Sequence, residues 1–472
     1  MEHGSIQQVV SNVLELRRNG RRSPTEIAAR QQERLEALVR FARERSPFYH
    51  ELYSQLPAGV EALPQLPIVT KQELMERFDE WVTDPEVKRA RVEEFLADPT
   101  RVGQPYLGRY RVWTSSGITG RRGVFVHDDG AQAVYTALVI ARTSSHMRSL
   151  LRGGRLAALV TPGHFALTSF LEVLRRRYPI VADVMRPFSA LEPLAELVGE
   201  LSAFRPDSLI GCPTVLQLLA QERKAGRLPI DPRLVTTEGE WLAPATRRSI
   251  EEAFHCTVRD TYGASEFLVI ASDCGHGWCH INSEWVVLEP VDRAFLPVLP
   301  GQASHTVLLT NLVNRVQPII RYDLGDRVTV SPEPCSCGSP YPAIRVEGRR
   351  DEILYLPDVS GRMVPLLPLA FISICEQTPG VNVFQIIQVD PTTLRVRLET
   401  EAGADRAYIW EDLHRRLHDY LATQAVSTIN LELAPEGPQR DPVSGKLCQL
   451  LVQSPLGKSA PQPGCSTTFS DP

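Results

Sequence analysis

The sequence predicts an α/β protein with a large N-terminal domain of parallel strand–helix units and a β-rich section, followed by a small C-terminal α/β domain. Between Arg155 and Glu266, short apolar runs alternate with helical periodicities, the pattern of a parallel sheet with helices on its faces. After Phe267 the helical pattern gives way to short β-type segments, and beyond Gly348-Arg349-Arg350-Asp351 a smaller α/β section begins. At 472 residues the chain is too long for one ordinary core. The boundaries read as residues 1–349, 350–453 and a tail of 454–472.

In chain order, the first helix starts at Ser23-Pro24-Thr25-Glu26. Serine is the N-cap, proline lies in the first turn, and glutamate stands three residues after the cap. Ile27, Leu35, Leu38, Val39 and Ala42 then recur at helical spacing until Ser46-Pro47. Residues before Ser23 are expected to fray. A Gly/Ser/Thr-rich stretch, Thr114 to Gly123, precedes a strand at Val124-Phe125-Val126. The alternating section reads as strands at 156–160, 180–184, 208–210, 234–236 and 257–261. Helices at 167–177, 193–204, 215–225 and 245–254 lie between them. The β-rich part holds 285–288, 306–310, 319–322 and 328–330. The small domain has a helix near 367–376, strands at 384–389 and 394–398, and an amphipathic helix over 406–423. The tail from Ser454 is rich in Pro, Ser, Gly and Thr and is expected to be disordered.

A net charge of −5 gives no reason to expect nucleic acid or an anionic membrane as partner. No apolar run approaches the roughly 20 residues of a membrane span, and the N-terminus lacks the pattern of a secretory signal. Nine cysteines, an odd number in a long chain, argue against a disulfide framework and for a reducing cytoplasm.

Several short motifs carry chemistry. Thr114-Ser115-Ser116-Gly117-Ile118-Thr119-Gly120-Arg121-Arg122-Gly123 can wrap a polyphosphate. Glycines admit close backbone approach, N–H groups and hydroxyls donate to oxyanions, and arginine neutralises charge. A plain Gly/Ser hairpin would read alike. Tyr262-Gly263-Ala264-Ser265-Glu266 follows the last parallel strand, at the sheet edge where ligands bind. Its ring can cover a base and its carboxylate can hold Mg²⁺. In Arg321-Tyr322-Asp323-Leu324-Gly325-Asp326, Asp326 can accept from ribose hydroxyls. Asp441-Pro442-Val443-Ser444-Gly445-Lys446 places a lysine after a turn late in the chain, able to stabilise developing phosphate charge.

Together with Gly348-Arg349-Arg350-Asp351, these motifs occur in the order found in adenylate-forming ligases, the superfamily of acyl-CoA synthetases, adenylation domains and luciferases. The chain most resembles the phenylacetate-CoA ligase family and the related deazaflavin-coenzyme (coenzyme F) synthetases. Ala42-Arg43-Glu44-Arg45-Ser46-Pro47-Phe48-Tyr49 and Leu66-Pro67-Ile68-Val69-Thr70-Lys71 add to the likeness, which spans roughly residues 23 to 452. The resemblance implies ATP, Mg²⁺ and coenzyme A as cofactors or co-substrate, a small carboxylic acid as substrate, and a mobile C-terminal domain. It gives Ser115, Ser116, Gly117, Thr119 and Gly120 to the β- and γ-phosphates, with Arg121 supplying charge. Glu238-Gly239-Glu240 would border adenine, Tyr262 would stack on it beside Gly263, and Glu266 would bind Mg²⁺. Asp326 would take the ribose with Arg349 nearby, Asp351 would be the hinge, and Lys446 would bridge carboxylate and α-phosphate. The sequence departs from the family at Ile118, where threonine is usual, and at Arg121, where lysine is usual.

Cys274-Gly275-His276-Gly277-Trp278-Cys279-His280 and Cys335-Ser336-Cys337-Gly338 pair plausibly across about 55 residues as a zinc site. The chosen ligands are Cys274, His280, Cys335 and Cys337, within a loop region 274–337, with Cys279 or His276 as substitutes. Structural zinc is the expectation, as similar Cys/His sets occur in relatives. Cys212, Cys256, Cys375 and Cys448 read as core thiols. His164-Phe165-Ala166 reads either as lining for an acyl pocket or as loop packing. The implied reaction is activation of an aromatic or apolar acid to its adenylate, then transfer to CoA. Transfer to a carrier-protein thiol or an amine, and a non-catalytic nucleotide-binding relative, are the alternatives. A homodimer is expected from the relatives.

Overall fold

The computed structural model describes the chain apart from residues 1, 21, 58–62, 116–122, 143–152, 191, 193, 350–353, 362, 367–370, 372–373, 376–377, 402, 425, 427–428, 440–448 and 453–472. It divides into two compact units, the first running to Arg350 and the second beginning at Asp351.

The first unit opens with helix α1 (Glu2–Asn19) and helix α2 (Pro24–Arg45). α2 starts where the sequence places it. The Ser23 side chain accepts from the Glu26 N–H, and the Glu26 carboxylate accepts from the Ser23 N–H at 2.8 Å, a capping box that satisfies both donors reciprocally. Its buried residues are Ile27, Leu35, Leu38, Val39 and Ala42, the five that the spacing selects. α1 corrects the expectation of fraying. It carries no sequence cap, but it packs Leu16 into the core, and Arg30 and Arg34 of α2 both pair with Glu15, at 2.7 and 2.8 Å. Tertiary packing supplies what local propensity lacks.

Strands β1 (Arg111–Thr114) and β2 (Val124–His127) form an antiparallel hairpin, followed by helix α3 (Asp129–Arg142). The alternating section then gives β3 (Leu156–Val160), α4 (Ala166–Arg177), α5 (Pro179–Val184) and β4 (Met185–Ser189). It continues with α6 (Leu194–Phe204), β5 (Ser208–Gly211), α7 (Pro213–Lys224), β6 (Leu234–Glu238), α8 (Pro244–Phe254) and β7 (Thr257–Ala264). β4, β3, β5, β6 and β7 pair in parallel in that order. Ala157 and Leu159 face a core with Leu197, Leu201, Leu216 and Ile250 of α6, α7 and α8, whereas Leu156, Ala158 and Val160 face Leu171 of α4. This is the period-two alternation of a sheet covered on both sides.

One element differs from expectation. Residues 180–184 are helical, not a strand, and the strand begins at Met185. Pro179 in the first turn presets helical φ, and pairing with β3 selects Met185–Ser189. A short apolar run fits either structure, so periodicity could not decide.

β8 (Phe267–Asp273), β9 (Cys279–Ile281), β13 (Asp326–Val330) and β14 (Ala343–Arg349) extend the same sheet with antiparallel pairings. β10 (Val286–Val291), β11 (Thr306–Asn311) and β12 (Ile319–Asp323) form a separate antiparallel sheet. Leu66–Thr70 lies along β12, with the Val69 N–H donating to the Arg321 carbonyl and the Asp323 N–H to the Val69 carbonyl.

In the second unit, β15 (Leu354–Pro357) pairs with β16 (Met363–Leu366). β17 (Val381–Asp390), β18 (Thr393–Thr400), β19 (Asn430–Leu433) and β20 (Leu450–Val452) form a mixed sheet. Helix α9 (Arg406–Thr423) buries Ile409, Leu413, Leu417 and Leu421. Most of the helix expected near 367–376 and the whole tail from Ser454 lie outside the described residues.

Candidate active site

The carboxyl ends of the parallel strands gather the motifs. At the β1–β2 hairpin, the Ser115 N–H donates to the Gly123 carbonyl at 3.0 Å, and the Gly123 N–H donates to Ser115 Oγ at 2.8 Å. Ser115 therefore closes the neck of the loop expected to hold phosphate. Ser116, Gly117, Ile118, Thr119, Gly120 and Arg121 lie outside the described residues. Thr114, at the base of the neck, donates its N–H to the His164 carbonyl at 2.8 Å and accepts on its own carbonyl from Ser265 Oγ at 3.1 Å. His164 is buried, with Nε2 donating to the Asp98 carbonyl and its ring against Phe95, which fits the packing reading of that loop.

β7 and β8 form the tight hairpin that carries Tyr262, Gly263 and Glu266. A Cβ on Gly263 would stand 2.0 Å from the Leu268 carbonyl oxygen, so close backbone approach demands glycine here. The Glu266 side chain is buried, and the Tyr322 hydroxyl donates to its Oε1 at 2.7 Å. The two carbonyls of this turn are held as well: His127 Nε2 donates to Ser265 O at 3.0 Å, and Asn311 Nδ2 to Glu266 O at 2.9 Å. Tyr262 OH donates to Asp326 Oδ2 at 2.7 Å, which joins the residue expected on adenine to the one expected on ribose. Arg349 lies opposite Asp326 in the β13–β14 register.

Glu238 ends β6, and Gly239 follows with φ 78°, in the left-handed region that glycine tolerates. The Glu240 carboxylate is engaged by the N–H and hydroxyl of Thr214, at 3.1 and 2.6 Å, at the start of α7. Beside this segment, Thr237 Oγ1 donates to Asp260, and burial pushes the Asp260 carboxyl up to about 6. Asp351 and Lys446 lie outside the described residues.

Sequence reasoning missed Tyr322, His127, Tyr135 and Asn311. Tyr322 sits inside a recognised motif, but only the fold aims its hydroxyl at Glu266. Arg321 turns β12 with φ 48°, its guanidinium pairing with Glu289 at 3.1 Å and donating to the Leu66 carbonyl at 2.7 Å. No sequence periodicity marks such a clamp.

The Cys/His cluster assembles as chosen. Cys274, His280, Cys335 and Cys337 have their ligand atoms within 4.8 Å of one another. Cys274 follows β8, His280 lies in β9, and the other two precede β14. The sulfurs of Cys274 and Cys335 are 3.7 Å apart, too far for a disulfide. They fit the separation of about 3.8 Å that Zn–S bonds near 2.3 Å give in a tetrahedron. His280 Nδ1 lies 2.9 Å from the Tyr341 carbonyl, which fixes its proton there and leaves Nε2 facing Cys337 Sγ at 3.1 Å. Burial holds the His280 imidazole below its ordinary range, as a neutral ligand requires. His276 turns instead to Ser336, and Cys279 is buried outside the group.

No protein-family model matches the sequence. The chain is 25% identical over 349 residues to the phenylacetate-coenzyme A ligase of Thermus thermophilus, covering 71% of this chain and 73% of that protein. It is 26% identical over 144 residues to protein CapK of Staphylococcus aureus, 30% of each chain. Among solved structures, 2-hydroxyisobutyryl-CoA ligase in the postadenylation state with 2-HIB-AMP superposes with a TM-score of 0.65 at 18% identity, over 90% of this chain and 89% of that one. The fold is that of the solved CoA ligases.

Proposed function

We propose that this chain, a homologue of a phenylacetate-coenzyme A ligase, is an AMP-forming acid–thiol ligase for a small carboxylic acid of aromatic or apolar character. The observation that carries the reading is convergence. The β7–β8 hairpin that carries Tyr262, Ser265 and Glu266 is hydrogen-bonded to Thr114, Asp326 and Tyr322, which come from distant parts of the chain, at the ligand edge of the sheet.

In the first step a carboxylate oxygen of the acid attacks the α-phosphorus of ATP. The bond from that phosphorus to the bridging oxygen breaks, and pyrophosphate leaves with the electron pair. No protein nucleophile is required, so catalysis is positioning plus charge stabilisation. Tyr262 and Asp326 orient the nucleoside, with Arg349 beside the ribose and Glu238, Gly239 and Glu240 at the adenine. The loop that Ser115 closes clasps the leaving phosphates, Arg121 contributing charge. Glu266 would hold Mg²⁺, which neutralises phosphate oxygens when bound. Lys446 bridges the carboxylate and the α-phosphate. In the second step, after movement about Asp351, the CoA thiol loses its proton and its sulfur attacks the acyl carbonyl; the bond from that carbon to the phosphate oxygen breaks and AMP leaves with the electron pair.

Cys274, His280, Cys335 and Cys337 would hold a structural zinc ion that staples the β8–β9 hairpin to the segment before β14. The cluster offers four protein ligands, the mark of a closed site. The reducing cytoplasm suits such thiolates.

The test is pyrophosphate release across a panel of acids, with and without CoA, for the wild type and Lys446→Ala. The expected result is acid-dependent release, a CoA thioester as product, and in the variant a loss of about a hundredfold or more. The variant should still convert preformed acyl-adenylate and CoA to thioester. Unchanged release in Lys446→Ala would remove that residue from the mechanism, and no release with any acid would remove the ligase reading.

A further inference from the structure

Behind the Ser265–Glu266 turn lies a buried polar chain that the reaction chemistry does not itself call for. His127 is the last residue of β2, the strand that leaves the phosphate-loop hairpin, and it is fully buried. Its Nε2 faces the Ser265 carbonyl at 3.0 Å, so that nitrogen carries the proton. Its Nδ1 must then accept, and the Tyr135 hydroxyl donates to it at 3.3 Å. The Tyr135 oxygen accepts in turn from Asn311 Nδ2 at 3.0 Å, and the same amide donates its second hydrogen to the Glu266 carbonyl at 2.9 Å. Asn311 Oδ1 accepts from the Val313 and Asn314 N–H groups.

Each donor in this chain has one acceptor, in a single consistent direction. Burial depresses the His127 imidazole to about 3, so it stays neutral and its Nδ1 stays an acceptor. Trp113 lies over the imidazole with ring centroids 4.1 Å apart and excludes water from it. Three elements, β2, α3 and β11, thereby grip two consecutive carbonyls of one turn. Ser265 Oγ meanwhile grips Thr114 at the base of the loop.

We infer that His127, Tyr135 and Asn311 are positioning residues that lock the Glu266 turn to the phosphate-loop hairpin as one pre-organised block. This rests on the ligase reading, in which Glu266 holds Mg²⁺ against the phosphates that the loop clasps. A buried network fully satisfied in one orientation rigidifies its surroundings, and a misplacement of about 1 Å at a reacting centre costs about a hundredfold in rate.

The experiment measures Mg²⁺-dependent binding of a fluorescent ATP analogue, pyrophosphate release and thermal stability in the full chain. It compares the wild type with Tyr135→Phe, His127→Leu and His127→Gln. Tyr135→Phe deletes one oxygen in the middle of the chain. It is expected to lower kcat by about tenfold to a hundredfold and to raise the Mg²⁺ concentration for half-maximal activity, with KM for the acid unchanged. His127→Leu should behave alike, and His127→Gln, whose amide can still donate to the Ser265 carbonyl, should recover most of the loss. Should His127→Leu fail to fold, Tyr135→Phe and His127→Gln carry the comparison. If folded Tyr135→Phe keeps the wild-type kcat and Mg²⁺ response and differs only in melting temperature, the network is merely structural and the inference is wrong. A wild type without Mg²⁺-dependent nucleotide binding overturns the ligase reading and this inference with it.

Discussion

The hydroxyl of Tyr262 donates to Oδ2 of Asp326 at 2.7 Å, so an aromatic ring on β7 and a carboxylate on β13 act as one unit across the sheet. The two positions are four strands apart in the sheet order and belong to different motifs. The hydrogen bond fixes the rotamer of the carboxylate, which in the proposed function would meet the ribose. Tyr262→Phe keeps the ring and loses the bond. A hydrogen bond to a charged group is worth about 1.5–3 kcal/mol. Its loss is expected to lower the melting temperature measurably and, by freeing the carboxylate from that rotamer, to raise KM for ATP severalfold in a steady-state ATP titration.

Gly263→Ala is expected to be far more damaging than a mutation beside a ligand site usually is. The added methyl would meet the Leu268 carbonyl oxygen at 2.0 Å, and backbone cannot yield as a flexible side chain does. The β7–β8 hairpin should reopen, with a stability loss above about 3 kcal/mol, in the range of overpacking a tight site. Denaturant unfolding and soluble yield check this. A well-folded variant with wild-type stability would contradict the hairpin geometry.

The zinc assignment has a discriminating variant in Cys337→Ser. Cys337 is exposed, so without a metal its substitution should stay within about 0.5 kcal/mol, as for ordinary surface positions. As a zinc ligand it should instead lower the melting temperature as strongly as His280→Ala does. Elemental analysis of fresh protein should find one zinc per chain, and a strong chelator should reproduce the shift. Absence of zinc, with a neutral Cys337→Ser, would dismiss the site.

His127 sets a pH dependence whose sign follows from its depressed pKa. In the unfolded chain an imidazole takes up a proton near 6.5, whereas in the fold it stays neutral down to about 3. Above about pH 6.5 both states are neutral and the group contributes nothing to the pH slope. As pH falls from there toward 3, only the unfolded state gains a proton, and stability is progressively lost. His127→Gln removes this term, so the stability of the wild type relative to the variant should decline between pH 7 and pH 4.5. Equilibrium unfolding of both proteins across that range measures it, and a constant difference would exclude the titration.

Local signals were legible wherever the physics is local. The cap at Ser23 and the spacing from Ile27 to Ala42 depend on contacts within a turn or two, and they specify α2 together with its buried face. The same holds for α9, whose limits at Arg406 and Thr423 agree with the amphipathic pattern. Residues 180–184 failed because a short apolar run satisfies helix and strand equally, and only pairing of Met185–Ser189 with β3 resolves it. α1 failed for the related reason that it is held by contacts outside its own turns, Glu15 by Arg30 and Arg34 of α2 and Leu16 by the core.

By itself the sequence determined the class of fold, the order of the motifs and the chemical types available to the candidate site, because glycine, hydroxyl, carboxylate and thiol carry their chemistry wherever they stand. It also pointed to the four side chains that cluster, Cys274, His280, Cys335 and Cys337, while leaving Cys279 and His276 as alternatives that only the fold set aside. Only the tertiary structure decided which side chains orient those groups: Tyr322 on Glu266, Tyr262 on Asp326, and the His127–Tyr135–Asn311 chain behind the turn. The physical reason is that a buried hydrogen bond joins residues with no periodic relation in the chain. Its partners are fixed by strand register and burial, and those exist only once the sheet has formed.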